Sequence, residues 1–81
     1  MKGETMSKKR FVEFYLAAMM KAATDGRVSK LTYQYVEGGK RIPAMECVTV
    51  VLEDRSGVPV PVNGYNLLEI ALEVVKAVQG L

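Results

Sequence analysis

The chain has 81 residues, 49% of them apolar and 25% charged, with 11 Lys and Arg against 9 Asp and Glu and no histidine. That is one small domain of ordinary globular balance, which disfavours disorder; its net charge of +2 is too small to point to nucleic acid by itself and does not fit an acidic DNA mimic. Cys47 is the single cysteine, so disulfides cannot supply stability, and one thiol without histidine cannot make a zinc site; no metal or other cofactor is expected.

Short domains hide a small share of their surface, which leaves oligomerisation or a partner as the common remaining device for stability. A lone thiol fits a reducing cytoplasm. No apolar run approaches the roughly 18 residues needed to span a bilayer, so no membrane is expected.

Residues Met1–Met6 read as a loose leader to a single domain covering 1–81. Ser7 is suited to cap a first helix running from Lys8 to about Asp25. Phe11, Phe14, Tyr15, Ala18, Met19 and Ala22 recur at three- and four-residue steps and mark its apolar face. Arg10, Glu13, Ala17, Lys21 and Thr24 lie opposite, while Leu16, Met20 and Ala23 widen the apolar side. Lys8-Lys9-Arg10 followed by Phe11–Met20 imitates a signal peptide, but Glu13 interrupts the apolar part and helical amphipathicity accounts for the same residues. Gly26 suits the left-handed residue that closes a helix.

Leu31–Val36 alternates, with Leu31, Tyr33 and Tyr35 on one side and Thr32 and Gln34 on the other, as a half-buried strand does. A loop with two glycines and a proline, residues 37–43, leads to Met45–Glu53, whose apolar residues on both faces suit a central strand. Asp54-Arg55-Ser56-Gly57 is a tight turn. In Val58–Val62 the two prolines are two residues apart, so both missing N–H donors fall on one edge, and the strand belongs at the rim of the sheet. Short connections favour a meander with Met45–Glu53 in the middle.

The last helix runs Asn66–Leu81. Asn66 and Glu69 have capping-box spacing, and Tyr65 with Ile70 has staple spacing. From Leu67 to Val78 only Glu69, Glu73 and Lys76 are charged, and at about 100° per residue they fill a stripe roughly 60° wide. So narrow a polar face leaves more apolar surface than one sheet covers. The expected fold is α+β: helix, three-stranded antiparallel meander, helix, with both helices on one face of the sheet.

The residues offer little chemistry. Without histidine, the common triads and imidazole bases are absent. Gly38-Gly39-Lys40 lacks the spacing of a phosphate loop, with Gln34 and Arg41 where a glycine and a Ser or Thr would stand. Cys47 has no basic neighbour in sequence and reads as a small buried hydrophobe. Tyr33 and Tyr35 suit either base stacking on an open sheet or packing beneath helices. In this topology Lys8, Lys9, Arg10, Lys40 and Arg41 fall near two helix starts, a combination that attracts anions unless it is a solvated rim.

The element order over roughly residues 8–80 resembles a double-stranded-RNA-binding domain, whose middle loop and last-helix start meet RNA backbone. The likeness is one of order and not of motif. The loop here is Gly38-Gly39-Lys40-Arg41, without the family's Gly-Pro-x-His pattern, and Leu67 and Leu68 stand where that family has a lysine pair. The leading expectation is a cytoplasmic, non-enzymatic module that forms a homodimer or docks on another protein through Leu67, Leu68, Leu72, Val75 and Leu81. A phage or mobile-element factor acting on a host protein is one such role. The alternative is binding of double-stranded RNA or DNA through the basic end.

Overall fold

The alternating stretches pair as strands in the order expected of a meander. The structure, a computed structural model, describes residues 7–81; the expected leader Met1–Met6 lies outside them. β1 (Val28–Val36), β2 (Met45–Leu52) and β3 (Gly57–Pro61) form one antiparallel sheet in that order, preceded by a first helix over residues 8–23 and followed by a last helix, Leu67–Gln79. The fold is α+β, helix-β-β-β-helix, as the sequence predicts.

β1 begins three residues earlier than its alternation suggests. A bulge between Val28 and Lys30 interrupts the register, so Val28 and Leu31 are both buried although three apart. An extra residue of this kind hides a strand from a period-two reading. β2 is central, and its Val48 and Val50 are fully buried.

β3 is the rim strand. Pro59 lies opposite Thr49 and Pro61 opposite Cys47, and the N–H of Val62 donates to the Glu46 carbonyl at 3.0 Å. Alternation then turns the N–H groups of Val58 and Val60 toward β2 as well, and the missing proline donors face outward. The other rim, β1, is guarded differently: the outward N–H of Tyr33 donates to Glu13 Oε2 of the first helix at 2.9 Å.

The last helix starts as predicted. Asn66 accepts from the Glu69 N–H at 2.8 Å and Glu69 Oε1 accepts from the Asn66 N–H at 2.9 Å, a complete capping box. The first helix is closed by Asp25 and Gly26, both in the left-handed region, with Thr24 Oγ1 donating to the Met20 carbonyl at 2.7 Å and accepting from the Val28 N–H at 3.0 Å.

The packed face of the first helix differs from the expected one. Val12, Leu16 and Met20 are buried, whereas Phe14, Tyr15, Ala18, Met19 and Ala22 are exposed and Phe11 is only half-buried. Two causes act together. Phe11–Leu16 is wound as a π-helix. Residues four apart drift by about 40° per step in an α-helix, and the wider turn removes part of that drift, which lines up Val12, Leu16 and Met20. The polar anchors of the helix (Glu13 on Tyr33, Thr24 on Val28, and Lys8 on Glu46) then fix its rotation.

Candidate functional site

Strand alternation puts Glu46 on the same side of β2 as Val48 and Val50, which is the core side. It is the one charged residue buried among the described residues, only 7% exposed. The first helix, β1 and the turn before the last helix converge on it. Lys8 Nζ from the first helix donates to Oε2 at 2.9 Å, the Tyr33 hydroxyl from β1 donates to the same oxygen, and the Gly64 N–H, just before the last helix, donates to Oε1 at 2.7 Å. The Glu46 N–H donates to Asn63 Oδ1 at 2.8 Å.

Burial alone would raise the Glu46 pKa. The hydrogen bonds from Lys8, Tyr33 and Gly64 and the charge of Lys8 outweigh it and pull the carboxyl down to about 2. Tyr33 moves the opposite way, because burial and the adjacent carboxylate both disfavour its phenolate. Glu13 is also lowered, first by the Tyr33 N–H and then by Lys9. The cluster is fully partnered: no buried side-chain polar atom among the described residues lacks a hydrogen bond, and these residues enclose no pocket. Its chemistry is that of a clasp.

This clasp redefines the predicted basic end. The topology is as expected, since Lys8 and Gly64 both reach Glu46 and so bring both helix starts to the end of the sheet that carries the β1–β2 loop. The charges are differently employed. Lys8 is committed to Glu46, Lys9 pairs with Glu13 at 3.1 Å, and the Arg10 guanidinium sits 5.5 Å from the centre of the Phe14 ring. Lys40 and Arg41 stand exposed at the tip of the loop. That tip is closed by the Gly39 N–H donating to the Ile42 carbonyl at 2.8 Å. Gly38 is required there, because a Cβ would collide with the backbone of Ile42, Pro43 and Ala44.

The larger feature is apolar. On the last helix Ile70 and Val74 are fully buried, Leu67 and Val75 half-buried, and Leu68 and Leu72 exposed, at 68% and 55%; Leu81, just past the helix end, is exposed as well. At about 100° per residue Leu72 lies opposite the Ile70–Val74 face, and the Glu69, Glu73, Lys76 stripe stands roughly 110° to one side of that face. The point farthest from the core is therefore leucine and not charge. On the first helix Phe14 is 66% and Met19 59% exposed, and Tyr15 is exposed beside them. Sequence periodicity assigned those three to the packed side; Arg10 stacked on Phe14 instead marks them as outward.

Cys47 is half-buried on the sheet face away from the helices, with its thiol 3.7 Å from the Val48 carbonyl. Tyr33 packs against the core and Tyr35 is exposed. Among the described residues no group of acidic, Cys or His side chains is placed to hold a metal, and no helix is long and apolar enough to cross a membrane. In comparison with known proteins, no family model, no curated protein and no solved structure matches the chain.

Proposed function

We propose that this chain is a small, non-enzymatic, cytoplasmic protein-binding module whose contact surface is the outward side of its two helices. The observation that carries the reading is an inversion of size between core and surface. Seven of the eleven buried apolar residues are valine, while Phe14, Tyr15, Met19, Leu68 and Leu72 face outward. Burying one such side chain is worth about 1.5–3 kcal/mol, so the chain leaves a substantial apolar contribution open to another surface. The contact comprises Leu67, Leu68, Leu72 and Val75 of the last helix and Leu81 just after it, joined by Phe14, Tyr15 and Met19. A factor that blocks a host protein, of the sort phages and mobile elements carry, is one role this surface suits.

A photo-crosslinking residue placed at Leu72 or Phe14 tests the reading in cells. Adducts with protein, whether a second copy or a host chain, are expected from both positions and not from Gln34 on the bare sheet face. Equal yields from all three positions contradict it. Nucleic-acid binding through the basic end is the weaker alternative, because Lys8 and Lys9 are held in ion pairs and only Arg10, Lys40 and Arg41 are left to it. A salt-sensitive mobility shift with duplex RNA, abolished by Lys40→Glu with Arg41→Glu, would favour it instead.

A further inference from the structure

We infer that the outward helical surface is self-complementary, and that its occupant is a second copy of this chain related by a two-fold axis. The inference rests on the protein-binding reading above and names its partner. The argument is charge complementarity around the apolar stripes. The first helix presents Arg10 and Lys21, both exposed and without an acidic partner among the described residues. The last helix presents Glu69, which also closes the capping box, and Glu73, which pairs loosely at 3.5 Å with Lys76, the single base of that helix. A partner covering both helices must offer acid over the first and base over the last.

This chain makes that offer to itself. A two-fold rotation lays the first helix of one copy across the last helix of the other. Lys21 then approaches the Glu69 and Glu73 stripe, and the Phe14, Tyr15 and Met19 stripe meets Leu68 and Leu72. The operation places the same contact twice, as an isologous dimer interface requires. Opposite charges rim an apolar centre, the usual layout of such a contact. The alternative two-fold arrangement, first helix on first helix, brings like charges together and is disfavoured.

Sedimentation equilibrium of the purified full chain tests this. Wild type is expected to fit twice the 8.9 kDa chain mass, in a concentration-dependent manner. Leu72→Glu should reduce it to monomer while circular dichroism stays native, since Leu72 lies outside the core. Lys21→Glu should raise the dissociation constant at least tenfold at low salt, and adding Glu73→Lys should restore most of that loss. A wild-type chain that remains monomeric at its highest soluble concentration overturns the inference, as does a dimer indifferent to Leu72→Glu and to the charge reversal. If the chain is monomeric yet Leu72 crosslinks to a different protein in cells, the dimer fails while the protein-binding reading stands.

Discussion

At the scale of single residues, Glu46 decides how the pieces of this fold are held together. Its folded pKa is depressed from 4.5 to about 2, so its contribution is fully present above pH 4.5 and is lost as pH falls toward 2. Glu13, lowered in the same direction, adds to that window. Urea midpoints should therefore be flat from pH 7 down to about 5 and then fall steadily. Glu46→Gln should cost about 3 kcal/mol at pH 7, because it leaves Lys8 and its neighbours around an uncharged group, and should flatten the acid limb of the profile. An unchanged acid limb in that variant would assign the acid sensitivity elsewhere. Little of this clasp was legible in advance. Lys8, Tyr33 and Gly64 lie 38, 13 and 18 residues from Glu46, and no local pattern links them. The one available signal was alternation: a carboxylate in phase with Val48 and Val50 must be buried and so must be paired.

At the scale of elements, the rotation of the first helix separates the account from the periodicity it replaced. Leu16→Ala should cost about 3 kcal/mol, whereas Phe14→Ala should stay within about 0.5 kcal/mol, both measured by denaturation in dilute solution. The reverse ranking would restore the expected face. The two rims of the sheet give a second check. Pro59→Val with Pro61→Val supplies outward N–H donors to β3, and Glu13→Ala uncovers the Tyr33 N–H on β1. Both variants should aggregate faster than wild type under light scattering, the proline pair more so, because unpaired edges template further strands. Strands, rim prolines and the capping box were readable because each depends on neighbours within a few residues. The first helix was not, because apolar residues surround it and periodicity then selects no unique face. Its rotation is set by a π-turn and by polar bonds to distant strands. The bulge at Val28–Lys30 hid the start of β1 for a related reason, since it breaks the period being counted.

At the scale of the whole molecule, the helical layer buries Val12, Leu16, Met20, Ile70 and Val74 against the sheet and leaves Phe14, Tyr15, Met19, Leu68 and Leu72 facing outward. If that outward surface is covered by a second copy, thermal stability is coupled to concentration. The melting temperature should rise with chain concentration in wild type and be independent of it in Leu72→Glu. Of the predicted interface, Leu68, Leu72 and Leu81 are outward as an open surface requires, Leu67 and Val75 are partly taken by the core, and the first helix supplies aromatic area that periodicity had turned inward. The adjacent methionines Met19 and Met20, 59% and 7% exposed, form an internal ruler for that surface. Pulsed oxidation of both, in dilute purified protein and in intact cells, reads it directly. Fast oxidation of Met19 and slow oxidation of Met20 are expected when the protein is dilute, with Met19 slowed to the Met20 rate in cells. Met19 equally reactive in both settings, or Met20 the faster of the two, would contradict it.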